Sequence, residues 1–323
     1  MMSLTRTGLL LAISITTSGH ALAGDSVSLR YGFVATGEDG VWVNGRNKGF
    51  FKQQNIDVEF REGNGSATVA QTVAAGTDDF GIDIDGGAFL TLAAKGLPAT
   101  AIFCAYAKSP ITLLSAADKN LKTPQDFIGK TIAAAGGGGA YTLLPVLWKV
   151  NNIEPSKVSI ITMQAGPSLT SLLGGSVDGV ATNIVVKASL EGRGFKTNAL
   201  MYSDFGVVMP GQYLIVSNAT LHSKPDLVAG MVKAVQMSLA DAQQHPEDSA
   251  AAFKSEYPSY SSATALAEIE LLLPLVQSST TVGKPLGTVS IEEASAGLDA
   301  LALAGAIAAK PDASTLVSNQ FVK

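Results

Sequence analysis

Short β-rich runs alternate with stretches of helical period along most of the chain, and Gly, Pro, Ser and Asp separate them. Residues 27–34 (VSLRYGFV) alternate apolar and polar and read as a strand. Residues 42–54 read as a helix, 56–60 as a strand, and 67–75 as a helix with Ser66 as its N-cap. Residues 80–84 read as a strand, and Asp85 as the cap of a helix over 88–94. The apolar runs at 99–105 and 111–115 read as buried strands. This strand–helix–strand order implies a mainly parallel sheet with helices on both faces. A second unit of the same kind begins near Lys119, with a short helix over 121–127. Its strands are expected at 130–134, 158–162 and 177–182, and its helices at 140–151, 168–174 and 184–190. Residues 214–216 return the chain to the first unit. Residues 225–244, 246–256, 264–274 and 290–304 carry the helical period.

Residues 1–23 fit a different pattern. Arg6 gives a positive start, residues 8–15 a short apolar core, and Ala21 and Ala23 a small-x-small cleavage site. That is the form of a secretory signal peptide. The apolar run falls well short of the ~18–20 residues that span a bilayer. No Cys follows the cut, so a soluble periplasmic chain without a lipid anchor is expected. The length of 323 residues suits about two domains, and 46% hydrophobic residues can bury a core, which excludes general disorder. A formal net charge of −5 without a Lys/Arg run excludes nucleic acid as a partner. Cys104 stands alone, so neither an intrachain disulfide nor a thiolate metal cluster can form.

Enzyme signatures mostly fail. Gly129-Lys130-Thr131 resembles the end of a phosphate-binding loop, but Pro124 stands where its first Gly belongs, and a strand follows. The four glycines 136–139 sit between a strand and a helix, yet Tyr141 and Thr142 interrupt a dinucleotide fingerprint. Past the leader the histidines are His222 and His245, both placed as surface or capping residues. No catalytic residue, metal or cofactor is therefore expected.

What remains is a set of loops at the carboxyl ends of strands, where open α/β sheets bind ligands. They supply the candidate ligand-binding residues Glu38, Trp42, Ser66, Asp85, Gly138, Gly139, Ala140, Tyr141 and Asn183. Helix starts bared by glycine leave N–H groups that attract anions. Trp42 and Tyr141 could stack on a flat ligand. The same residues have plainer uses: Asp85 and Asn183 as helix caps, Trp42 as a core anchor.

Several motifs in order resemble one family. They are GFFKQQNIDV at 49–58, GSA at 65–67, QTVAAGTDDFG at 71–81, KSP at 108–110, DFIGKT at 126–131 and LLGGSVDG at 172–179. Together they resemble the periplasmic substrate-binding proteins of ABC importers, in the nitrate/sulfonate/taurine/thiamine-precursor group. Asn55 stands where that group has Gly. The resemblance implies an α/β, two-lobed type II periplasmic binding protein fold with the ligand cleft between lobes. Lobe one would be 24–110 plus 213–323, and lobe two 111–212, with crossings near 108–115 and 207–216. It implies a monomer that closes on a small-molecule ligand and serves a permease and an ATPase. A small organic anion, a carboxylate or sulfonate, is the expected ligand. The alternatives are a pyrimidine or thiamine precursor, or a pyrimidine synthase on the same fold.

Overall fold

The computed structural model describes residues 25–136 and 138–323. The expected signal segment 1–23 and Gly137 lie outside the described residues.

The chain begins β1 (Asp25–Tyr31), α1 (Gly40–Asn47), β2 (Ile56–Arg61), α2 (Ser66–Ala74), β3 (Phe80–Asp85), α3 (Gly86–Ala93) and β4 (Ala99–Tyr106). It then crosses to β5 (Ile111–Ala116), β6 (Thr131–Ala134), α4 (Gly139–Val150), β7 (Ser159–Thr162), α5 (Ala165–Leu173), β8 (Gly179–Asn183), α6 (Val185–Glu191) and β9 (Thr197–Met201). It returns as β10 (Gln212–Ser217). The helices α7 (Asn218–Ser223), α8 (Pro225–Gln244), α9 (Pro246–Glu256), α10 (Ser262–Leu272) and α11 (Ile291–Leu303) follow. None of the described helices is long and apolar enough to cross a membrane.

The strands form two five-stranded sheets, ordered β2-β1-β3-β10-β4 and β7-β6-β8-β5-β9. In each sheet one strand runs against its neighbours. β10 is antiparallel to β3 and β4, and β5 is antiparallel to β8 and β9. Each reversed strand is the first one laid down after the chain changes sheets. The connections themselves are residues 107–110 and 202–211. Much of the expected crossing stretches 108–115 and 207–216 is therefore strand interior.

Other local expectations need correction. The helix expected over 42–54 ends at Asn47, and a separate 3-10 turn covers Lys52–Gln54. Gly49 lies between them at φ +80°, a left-handed conformation that interrupts helical pairing. Asn55, in place of the family's Gly, takes φ +59°, which Asn tolerates better than most residues. Ser66 is the first residue of α2 rather than its cap, since Gly65 precedes it at φ +138°. Strand β9 and helix α7, which carries His222, have no counterpart in the sequence reading.

The apolar core joins the two sheets. Leu90 and Leu298, which belong with the first sheet, share one cluster with Ile132, Leu144 and Trp148 of the second half. Helix α4 makes that link. A Cβ placed on Gly87 of α3 would lie 3.4 Å from Leu143 of α4, and Lys149 Nζ donates to the Leu303 carbonyl of α11 at 2.7 Å. Leu144 and Leu147 are fully buried, and each contributes roughly 1.5–3 kcal/mol relative to exposure. A second cluster lies under α1, α8, α9 and α10, around Leu29, Phe80, Leu214, Val235 and Phe253.

Candidate functional site

A cavity of about 370 Å³ opens between the two sheets, inside the roughly 300–1,000 Å³ of small-molecule pockets. From the first half come Gly32, Phe33, Val34, Thr36, Glu38, Asp39, Ser66, Asp83 and Asp85. From the second come Ile111, Ala135, Gly138, Gly139, Ala140, Ala165, Gly166, Leu169, Ala181, Thr182, Asn183, Val185 and Val186. Pro110, on the first connection, and Gln212, the first residue of β10 just past the second, complete it. Most of these residues follow the carboxyl ends of strands, where the fold leaves its crevice.

The wall is apolar on the second half and acidic on the first. Its charged residues are Glu38, Asp39, Asp83 and Asp85; among the described residues no Lys, Arg or His contributes. Local structure aims them. The pairing of β3 with β10 shifts register between Tyr213 and Ile215, so β3 carries one extra residue. Such a bulge turns side chains to new directions. Phe80 and Ile82 accordingly pack in one cluster and Ile84 in the other, and Asp83 takes φ +57°. Trp42 Nε1 donates to Asp83 Oδ2 at 2.7 Å, a buried bond that fixes the carboxyl. The turn with Glu38 and Asp39 closes on itself, as Thr36 N–H donates to Asp39 Oδ2 at 2.8 Å. Glu268 of α10 holds the same turn by accepting from Gly37 N–H at 2.6 Å and Tyr260 OH at 2.7 Å.

Burial disfavours charge on this cluster. It pushes Glu38 and Asp39 well above the usual carboxyl range, and the nearby Asp83 adds to that in both. Burial raises Asp83 to about 6, against the hydrogen bond from Trp42 that favours its ionised form. Asp85 is likewise raised to about 6 and Glu268 to about 7, both by burial.

Asp85 bridges the halves. Its Oδ1 accepts from Ala88 N–H at 2.8 Å and so caps α3. The same carboxyl lies over Gly139, the first residue of α4: a Cβ there would stand 2.0–2.3 Å from three of its atoms. The glycine-bared helix start, expected to receive a ligand anion, thus faces a carboxyl of the protein itself.

Seven of the nine sequence candidates line the cavity: Glu38, Ser66, Asp85, Gly138, Gly139, Ala140 and Asn183. Ser66 Oγ accepts from Asp85 N–H at 3.1 Å, and Asn183 Oδ1 accepts from Val185 N–H at 3.2 Å at the start of α6. Two candidates stand apart. Trp42 is wholly buried behind Asp83, an anchor rather than a stacking surface, and Tyr141 turns outward with 39% exposure. Phe33, exposed at the cavity mouth, is the aromatic that does line it. Phe33 and Gln212 went unread. Phe33 sits within a strand-like alternation, and nothing local marks Gln212.

Comparison with known proteins adds four findings. A family described as "NMT1/THI5 like" matches residues 41–249. The riboflavin-binding protein RibY of Chloroflexus aurantiacus is 25% identical over 207 residues, 62% of this chain and 58% of that protein's own length. The alkanesulfonate-binding protein SsuA from Xanthomonas axonopodis pv. citri superposes with a TM-score of 0.73 at 15% identity, covering 91% of this chain and 98% of that one. The Candida albicans CA3427 gene product, described as having the generic periplasmic binding protein fold, superposes with a TM-score of 0.68 at 16% identity. It covers 92% of this chain and 97% of that one.

Proposed function

Because the chain belongs to the NMT1/THI5-like family and has the periplasmic binding protein fold, we propose that it captures a small organic solute for import. It does so as an exported periplasmic monomer that delivers its cargo to an ABC permease and ATPase. The observation that carries this reading is a ligand-sized cavity walled by both sheets, between which the described residues pass at 107–110 and 202–211. A ligand touching both walls favours the closed arrangement, and rotation about those two connections releases it. The α/β lobes are 24–110 plus 213–323, and 111–212. The cargo leaves chemically unchanged.

The wall chemistry bears on the class of cargo. Among the described residues the wall carries four carboxyl groups and no cation, so a carboxylate or sulfonate finds no charge partner there. This favours the alternative reading, an uncharged or positively charged heterocycle such as a pyrimidine. Its flat body would rest on Phe33, Ile111, Leu169 and Val186. The likeness to a protein named for riboflavin binding supports a heterocycle as well. A thermal-shift panel of pyrimidines, thiamine precursors, riboflavin, aromatic acids and alkyl sulfonates tests the reading. A heterocycle should raise the melting temperature and be recovered intact by mass spectrometry. Stabilisation by sulfonates alone would reverse the assignment of cargo, and turnover of the bound compound would make the protein an enzyme.

A further inference from the structure

Three enclosed acceptors in the acidic part of the cavity have no hydrogen-bond donor: Asp83 Oδ1, Glu38 Oε2 and Gln212 Oε1. They come from three separate places in the fold, the bulged β3, the turn after β1 and the first residue of β10. The second oxygens of the two carboxyls are already served, Asp83 by Trp42 at 2.7 Å and Glu38 by Thr36 Oγ1 at 3.4 Å. Asp83 and Gln212 are 7% and 5% exposed. A buried acceptor left without a donor is unfavourable. Gln212 is the telling member, because its amide carbonyl accepts hydrogen bonds at every pH, independent of how the carboxyls ionise. Among the described residues no three acidic or imidazole groups gather as metal ligands. The N–H groups of a ligand would fill these acceptors.

Resting on the reading that the cavity holds the cargo, we propose that its acidic end seats a compact organic cation with a planar N–H fork. An amidinium or guanidinium fits this description, held by Asp83, Glu38 and Gln212. Such a group offers several donors in one plane and delocalises its charge, so it is cheaper to desolvate than an ammonium. It also supplies the positive charge that the cavity wall lacks.

Four isosteric probes that differ in their charged group decide the matter: benzamidinium, benzamide, benzoate and benzenesulfonate, measured by calorimetry and thermal shift. Benzamidinium should bind about tenfold or more tighter than benzamide, and the two anions should not bind. Asp83→Asn should weaken benzamidinium about tenfold, because it removes the charge but keeps an acceptor for Trp42. Asn also tolerates the left-handed backbone at this position, so the variant should fold, which circular dichroism checks. Ala165→Trp, at an exposed wall position, should block every response. Equal binding of a neutral or anionic probe that Ala165→Trp abolishes overturns the cation seat and leaves the cleft reading standing. So does benzamidinium binding that Asp83→Asn leaves unchanged. Silence from all four probes overturns the cation seat as well. A response that survives Ala165→Trp means that the cleft is not where the solute binds, and the proposed function fails with it.

Discussion

Replacing Gly139 by Ala tests the contact that ties α3 to α4. The added methyl would stand 2.0 Å from Asp85 Oδ1, far inside the 3.4 Å of ordinary contact. The carboxyl must then move by at least about 1 Å, and its 2.8 Å bond to Ala88 N–H breaks. Loss of a helix cap costs about 0.5–2 kcal/mol. The helical preference of Ala over Gly returns up to ~1 kcal/mol, less in a first turn. Gly139→Ala should therefore destabilise by about 1 kcal/mol. Asp85→Ala loses the same cap but also removes the obstacle. In that background Gly139→Ala should be neutral or mildly stabilising, leaving a coupling of about 1–2 kcal/mol between the two sites. Urea unfolding of the four proteins at neutral pH measures it, provided the slope m is unchanged across the set. Costs that add within ~0.5 kcal/mol would mean that the two residues do not meet as described.

Further outcomes follow from other buried groups. Burial raises Glu268 from 4.5 to about 7, so this residue costs no stability below about pH 4.5, where folded and unfolded chains both hold its proton. As the pH rises from about 4.5 to 7 the unfolded chain gives up this proton first, so stability falls by on the order of 3 kcal/mol across that window, and Glu268→Gln should flatten that part of the curve. An unaltered slope would refute this. Trp42→Phe leaves Asp83 Oδ2 without its donor and should cost about 1–3 kcal/mol in urea; an unshifted midpoint would count against that bond. Burial pushes the Cys104 thiol far above its ordinary value, and its side chain is sealed in the core. An aromatic disulfide reagent should modify it only as fast as the protein unfolds, and rapid labelling of the native protein would contradict that.

Local signals were legible where a residue's neighbours in sequence decide its structure. Helices α8 and α9 were read to their ends because Pro225 and Pro246 each occupy a first helical position. The Asp85 cap was legible for the same reason. Strand β9 was not: its TNALM sequence is short, half polar and lies at a sheet edge. The site was half legible. Strand-end loops pointed to seven wall residues, since topology alone puts such loops at the crevice. Its charge could not be read. Four glycines suggested an anion seat, but the group facing them, Asp85, lies some fifty residues earlier. The aim of Asp83 depends on a bulge set by pairing with β10, more than a hundred residues away. Trp42 could have lined the cavity or anchored the core, and only tertiary packing decides between them.

The late strand β10 also bears on how the protein is made. β3 and β4 have no pairing with each other and wait for residue 212 of 323 to fill the gap. At ~5–20 residues per second of translation, the stretch from Tyr106 to Gln212 takes roughly 5–20 s to emerge. Throughout that interval the nascent chain presents two unzipped edges, each a template for association with another copy. A ribosome-bound fragment ending before Gln212 should therefore remain a client for chaperones, and compaction of the first sheet should coincide with the appearance of β10.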